Sequence, residues 1–340
     1  MRYQVVVPVY NGEDTIADCL ASIVGQEGAA VGEDFCVLVV DDGSSDRTAE
    51  IAGRFPVKIV THAENRGRVE ARLTGAKKAR CGRLVFLDAR VTIPPDFIKK
   101  LDRFESFPAV MGESSVPESQ AGWDRLFYLI RRRYYGKKNF PMKEDELLIT
   151  PENFKRAPKG TTFLLVDRDL FIRCLPERNA KDTSDDTLLL YNMVHREGVN
   201  LLRAKAITIS YNPTRTFKQF RKWLFHRGKL FSDFYLTSGG YFSKHFAAGL
   251  KVMIAALAAG AILSVAVPWF ATAVLAALLA GYLLACGYLS EKPGDFLTCF
   301  VTLAPVAAIF GAGVAHYCSR YFWNGMRKKS LLKQADGYRR

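Results

Sequence analysis

Three short runs of β-branched residues, each breaking at once into polar residues, constrain this chain more than any other feature. Val5-Val6-Val7-Pro8-Val9 gives way to Tyr10-Asn11-Gly12, Val37-Leu38-Val39-Val40 to Asp41-Asp42-Gly43-Ser44-Ser45-Asp46, and Leu84-Val85-Phe86-Leu87 to Asp88. A continuous apolar run of this length, bounded by turn residues, is how a parallel strand buried on both faces reads in sequence. The pattern predicts strands over Tyr3 to Tyr10, Phe35 to Asp41, Val57 to Thr61 and Arg83 to Asp88, with helices between them at Asp14 to Gln26, Asp46 to Phe55 and Arg66 to Lys78. Such alternation requires right-handed crossovers, so the fold class is α/β with a parallel sheet. Farther on, Gly160 to Val166 reads as a strand and Ser184 to Glu197 as a helix. Because the alternation weakens between Ile93 and Asn212, the sheet is expected to become mixed there.

Ligands of open α/β sheets bind at the carboxyl edge of the strands. Two of the three runs end in carboxylates, which suit ribose hydroxyls, a base edge or a cation. That is a nucleotide-sugar site in outline.

In this order the runs closely resemble the openings of the family 2 inverting glycosyltransferases of the GT-A fold, which read like VxVPVYNxxxxxxxCLxSxxxQ followed by VDDGSxDxT. Cys19-Leu20-Ala21-Ser22-Ile23, Gln26 and the turn Asn65-Arg66-Gly67 fall where that pattern has them. The resemblance covers roughly Tyr3 to Gly228 and is most specific over the first hundred residues or so. It implies a nucleotide-diphosphate-sugar donor bound by Pro8, Tyr10, Asp41, Asp42, Ser44 and Arg66. Asp41 would contact the nucleotide, and Asp42 and Ser44 would shape the same turn. By composition alone, Asp41-Asp42-Gly43 is also simply a good turn before a helix.

Asp88 matches the first aspartate of the family's DxD motif, through which a divalent cation, Mg or Mn, bridges protein and donor diphosphate. This chain reads Asp88-Ala89-Arg90 instead. A hard cation takes several oxygen ligands, and Arg90 removes one and adds repulsion. Two readings stay open: Arg90 substitutes for the metal, or Arg90 turns away into an ion pair while Asp88 and the diphosphate still hold a cation.

An inverting transferase needs a base to take the acceptor proton, usually a carboxylate. Lys181-Asp182-Thr183-Ser184-Asp185-Asp186-Thr187-Leu188-Leu189 resembles the family's EDxxL, with Asp185 for the glutamate and Asp186 for the base. Adjacent carboxylates raise one another's pKa; an acidic helix start stabilised by the macrodipole has the same composition. His226-Arg227-Gly228-Lys229 resembles the loop that closes over the diphosphate in non-processive members, which makes Arg227 and Lys229 candidate donor contacts. Gln219-Phe220-Arg221-Lys222-Trp223 approaches the QxxRW of processive synthases, with Lys222 at the arginine position.

The C-terminal part differs in composition. Ala247 to Val267, Trp269 to Leu289 and Phe296 to Tyr317 are each as long as a bilayer-spanning helix, for which about 20 apolar residues suffice. A net charge of +14 clusters at Arg131 to Arg133, Lys137-Lys138, Arg215 to Lys229 and the tail from Arg320. With no nucleic-acid-binding motif and with apolar spans among the charges, this points to a membrane surface and not to nucleic acid. Trp123 to Lys138 and Arg215 to about Phe246, basic and aromatic, suit helices in the headgroup layer; packing within the protein is the alternative. Three full spans from a cytosolic start would put the basic tail outside. Either Phe296 to Tyr317, with Pro305 and Gly311-Ala312-Gly313, is re-entrant or interfacial, or the tail breaks the charge rule; a cytoplasmic tail is expected. The opening residues carry no secretory pattern, and the seven scattered cysteines read as packing residues.

The expected organisation is a cytosolic GT-A domain over 1–214, an interfacial segment over 215–246, a transmembrane region over 247–318 and a basic tail over 319–340. The expected activity is transfer from a nucleotide-diphosphate sugar to a lipid-linked or glycan acceptor at the membrane. A catalytically silent nucleotide-sugar-binding scaffold and a processive polysaccharide synthase are the alternatives; the oligomeric state is not legible.

Overall fold

The apolar runs form the strands their composition requires. In the computed structural model, β1 (Tyr3–Val9), β2 (Phe35–Asp41), β3 (Lys58–Thr61) and β4 (Arg83–Leu87) lie parallel in the order β3-β2-β1-β4. Val5, Val6 and Val7 are wholly buried, as are Val39, Val40 and Val85, so neither face of β1, β2 or β4 meets water there, whereas β3 at the edge is partly exposed. The structure describes residues 1–115, 122–135, 145–154, 156–176, 185–212, 216–232, 255 and 268–323. They fall into two units, one of Met1–Gln120, Arg131–Lys181 and Asp185–Thr214, the other of Ala121–Ile130, Asp182–Ser184 and Arg215–Arg340.

In the first unit, α1 (Ile16–Val24), α2 (Thr48–Ala52) and α3 (Arg68–Lys78) make the crossovers. α2 starts after the expected Asp46 because Asp46 stands outside the helix, accepting hydrogen bonds from the backbone of Thr48 at 3.0 Å and of Glu13 at 3.1 Å. Beyond β4 come β5 (Val91–Thr92), α4 (Phe97–Leu101), β6 (Ala109–Ser115), α5 (Trp123–Tyr135), β7 (Glu146–Ile149), β8 (Phe163–Asp167), α6 (Arg168–Cys174), α7 (Asp185–His195) and β9 (Leu201–Tyr211). β8 runs antiparallel to β4 and β6, β6 runs parallel to β9, and β5 and β7 pair antiparallel with β9. The sheet therefore turns mixed where the alternation fades. Ile16, Leu20 and Ile23 of α1 and Phe97, Ile98 and Leu101 of α4 pack with it in the main core. Strand order reverses at β1, which has β2 on one side and β4 on the other; the crevice of such a sheet opens at the carboxyl ends of these strands.

The second unit holds the first part of α5 with α8 (Phe217–Phe231), α9 (Pro268–Leu289) and α10 (Pro293–Trp323). α8 opens on a capping box: the Gln219 amide donates to Thr216 Oγ1 at 3.3 Å, and the Thr216 amide to Gln219 Oε1 at 2.9 Å. Gln219 thus serves the helix start, which gives its synthase-like spacing a plain structural reason. The faces expected to lie among headgroups pack on each other instead. Trp123 meets Phe217 and Phe220 at centroid distances of 5.2 and 5.4 Å, and Phe127 meets Trp223 at 5.3 Å. Leu126, Leu129, Phe220, Leu224, Cys286, Cys299 and Val306 are buried beneath them. Arg125 on α5 forms a buried two-pronged pair with Asp295 on α10, at 2.8 and 2.9 Å. α8 and α10 touch through glycines, so a Cβ on Gly313 would strike the Phe225 carbonyl and one on Gly228 the Phe310 carbonyl.

α10 runs unbroken through Pro305 and Gly311-Ala312-Gly313, so these residues do not interrupt it as their helix-breaking character suggests. Thr272–Leu289 and Pro293–Tyr317 are long and apolar enough to cross a membrane, with mean hydropathies of 1.9 and 2.0. They are not core helices of the described structure: Leu275, Leu278, Leu284 and Leu297 are all exposed. Residue 255 apart, the expected span at 247–267, the stretch 233–246 and residues 324–340 of the tail lie outside the described residues.

Candidate active site

The turn after β2 is built by its own acidic residues. Asp41 is almost fully buried at the strand end, and its Oδ1 accepts from the Ser44 amide at 3.0 Å and from Ser44 Oγ at 2.5 Å. Ser44 Oγ in turn accepts from the Asn11 amide at 2.9 Å, which ties this turn to the one after β1. Asn11 takes a left-handed φ of 49° and returns the bond, its Oδ1 accepting from the Ser45 amide at 2.9 Å. Gly43 has φ 74°, and a Cβ there would stand 2.6 Å from the Glu64 carbonyl carbon and 2.8 Å from the Asn65 nitrogen. Only glycine allows that approach.

Asp42 faces the other way. Its two oxygens accept from the Arg66 amide at 2.9 Å and the Gly67 amide at 2.7 Å, and Oδ1 pairs with His62 Nδ1 at 2.7 Å. His62 Nε2 meets Thr74 Oγ1 at 2.9 Å. Asp42 is thereby committed to holding the Asn65-Arg66-Gly67 turn, a role sequence reading gave only to the turn before it. Arg66 itself is exposed, as is Tyr10, while Pro8 sits in β1 opposite Val40.

Asp88 follows β4, its amide donating to the Thr162 carbonyl at 3.0 Å. Arg90 does not turn away. Its Nε donates to Asp88 Oδ1 at 2.8 Å, its Nη2 to Oδ2 at 2.6 Å, and its backbone amide to Oδ1 at 3.1 Å. The guanidinium also lies over the Tyr211 ring, 5.2 Å from its centroid. Burial pushes the Asp88 carboxyl up, but the charge and hydrogen bonds of Arg90, aided by the charge of Arg72, hold it below the ordinary carboxylate value.

Asp186, the second residue of α7, meets Arg72 on α3. Arg72 Nη1 donates to Asp186 Oδ1 at 2.5 Å, and Nη2 donates to the carbonyl and hydroxyl oxygens of Thr161 at 3.2 and 2.9 Å. Arg68, one helical turn before, stands 3.8 Å from Asp186 Oδ2. Burial would raise the Asp186 pKa; the charges of Arg68 and Arg72 and hydrogen bonds from Thr161 and Arg72 outweigh it and hold the carboxyl well below its usual range. The net direction at Asp186 is therefore downward, whatever neighbouring Asp185 adds. Asp185 is the first residue of α7. Arg72, Thr161 and His62 were missed in the sequence. The available signal was Arg72 on the otherwise small, buried face of α3 made by Ala71, Gly75 and Ala76, since an arginine is rarely buried unless paired.

Residues 4–155 match the family described as Glycosyl transferase family 2. The chain carries a family 2 glycosyltransferase domain. Among curated relatives, a dolichol-phosphate mannosyltransferase of Pyrococcus furiosus is 31% identical over 105 residues, 30% of this chain and 29% of that one. An undecaprenyl-phosphate 4-deoxy-4-formamido-L-arabinose transferase of Edwardsiella ictaluri is 34% identical over 103 residues, 28% of this chain and 31% of that one. The chain thus matches less than a third of the length of either relative. A solved mannosyltransferase from Pyrobaculum calidifontis, in complex with GDP-Man and Mn2+, has the same fold at a TM-score of 0.52 and 20% identity, over 96% of this chain and 88% of that one. The glycosyltransferase domain therefore has the GT-A fold.

The fold implies a divalent cation at the DxD position, and the residues of this glycosyltransferase domain do not fit one. Both oxygens of Asp88 are engaged by Arg90, whose charge occupies the position of the second carboxylate. Among the described residues, no three His, Cys, Asp or Glu side chains cluster. Arg227 and Lys229 lie within α8 of the second unit, Arg227 over the Trp223 ring at 5.2 Å. The expected diphosphate loop is therefore a helix, since its Gly228 is used for contact with α10.

Proposed function

We propose that the chain is a membrane-bound inverting glycosyltransferase that moves a sugar from a nucleotide-diphosphate sugar to a lipid-linked acceptor, a polyprenyl phosphate or a lipid-linked envelope glycan. The observation that carries the reading is the Asp186 carboxylate, held by Arg72 at 2.5 Å in the same unit as the Asp41 and Asp88 strand ends. An acceptor oxygen attacks the anomeric carbon on the face opposite the departing nucleotide diphosphate. Where that oxygen belongs to a hydroxyl, Asp186 takes its proton. Asp41 contacts the nucleotide, with Ser44 fixing its carboxylate. Two apolar helices and relatives named for dolichol phosphate and undecaprenyl phosphate support a lipid-linked acceptor.

The test is incubation of the full chain in detergent with a panel of nucleotide sugars and lipid-linked acceptors. The expected result is nucleotide release, with a single sugar added in the opposite anomeric configuration. Donor binding without release or transfer would identify a silent binder, and a polymeric product a processive synthase.

A further inference from the structure

We propose that Arg90 takes the place of a divalent cation in this domain: its guanidinium binds the donor diphosphate, and binding and transfer proceed without metal. The inference rests on the transferase reading for its substrate class, and on the Asp88-Arg90 geometry for everything else. Two carboxylates with a divalent cation carry no net charge, and neither does one carboxylate with one guanidinium. The diphosphate thus meets the same balance at this edge, with its positive part now covalently part of the chain. A guanidinium suits that ligand, since its planar donors match phosphate oxygens two at a time.

Arg90 is also held in position. Its backbone amide donates to Asp88 Oδ1, and its carbonyl accepts from the Asn212 amide at 2.8 Å, where β5 pairs with the end of β9. Tyr211 supports one face of the guanidinium, and Asp88 takes the edge made by Nε and Nη2. The side chain remains about one-third exposed, at 35%. In transfer, the bond between the anomeric carbon and the β-phosphate oxygen breaks and its electron pair stays on that oxygen. The new bond forms from the acceptor oxygen, whose proton, where it has one, goes to Asp186. The charge that grows on the β-phosphate is the charge Arg90 neutralises.

Binding of UDP and of GDP to the full chain, measured by calorimetry in excess chelator and again with magnesium or manganese, tests this apart from catalysis. The wild-type chain is expected to bind at least one of them in chelator, with an affinity that changes less than threefold or so on adding metal. Arg90→Ala should weaken that binding on the order of 10- to 100-fold, and Arg90→Lys, which keeps the charge and guards against misfolding, should lie between. Arg90→Asp, which restores a two-carboxylate motif, should bind only with metal present. Binding that needs metal in the wild type and is unaffected in Arg90→Ala and Arg90→Lys overturns the proposal, as does failure to bind either nucleotide under both conditions. Metal-free binding through Arg90 with no transfer to any acceptor would uphold Arg90 as the diphosphate contact in place of metal and sink the transferase reading instead.

Discussion

At the scale of single residues, Asp186 is the group whose chemistry the structure defines most sharply. Its lowered pKa follows from the charges of Arg68 and Arg72 and hydrogen bonds from Thr161 and Arg72 outweighing burial, so the carboxylate carries no proton at neutral pH and accepts one less readily than an ordinary carboxylate, unless substrate loosens the Arg72 pair. Asp186→Asn should leave donor binding nearly unchanged and lower turnover on a hydroxyl acceptor by a factor on the order of 100 to 10,000. With a phosphate acceptor, already an oxyanion at neutral pH, the same substitution should cost far less; comparing kcat on the two acceptor types distinguishes them, and equal, full activity on both removes Asp186 as the base. The sign of the pH dependence is fixed by the direction of the shift. A carboxylate with a lowered folded-state pKa adds stability that is present above its unfolded value of about 3.9 and lost as pH falls toward the folded one. The acid limb of kcat/KM should accordingly lie below that value. Arg72→Gln leaves burial less opposed and should move the limb upward; an unmoved limb in a rate profile refutes the coupling. The carboxylates were legible because Asp41 and Asp88 end recognisable strands and Asp186 opens a helix. Arg72 was not, because its partner lies 114 residues away and only the fold brings the two together.

At the scale of elements, the basic and aromatic segments show what composition leaves open. α5 and α8 each have a face suited to a lipid headgroup layer, and the structure uses those faces against each other, Trp123 on Phe220 and Phe127 on Trp223. Amphipathicity says that a face will be covered and not by what. The glycines were misread for a related reason. Gly228 appears in sequence as part of a phosphate loop, yet it lies inside α8, and Gly311 and Gly313 appear as breaks yet lie inside α10. Small residues let two helices approach backbone to backbone, a use that no single segment can reveal. Because Gly313 meets the Phe225 backbone and not a movable side-chain tip, Gly313→Leu cannot be relieved by a rotamer change. It should destabilise the helical unit by about 1–3 kcal/mol, the usual cost of overpacking, read as a lower unfolding midpoint in detergent. An unchanged midpoint would show that α8 and α10 do not pack this way.

For the molecule as a whole, legibility follows the density of local signals. The first hundred or so residues could be assigned strand by strand because each buried run ends in a turn with its own chemistry. The mixed half of the sheet could be foreseen only in kind, since β6 pairs with β8 and β9, far along the chain. The helical unit was legible in length but not in packing. Its exposure nevertheless makes a firm prediction. Leu275, Leu278, Leu284 and Leu297 project from α9 and α10 without cover among the described residues, on helices whose apolar stretches reach 18 and 25 residues. Water would penalise that surface by roughly 25 cal/mol for each Å² of apolar area, whereas hydrocarbon imposes no such penalty. The net charge of +14 adds attraction to anionic lipid, which salt screens, but burial of the helices in hydrocarbon is not screened. The two contributions are therefore separable by extraction. The full chain should stay with the membrane fraction through high salt and alkaline carbonate and leave it only in detergent. Release by salt alone would mean that charge holds the protein to a surface and that α9 and α10 are covered by protein, not by lipid.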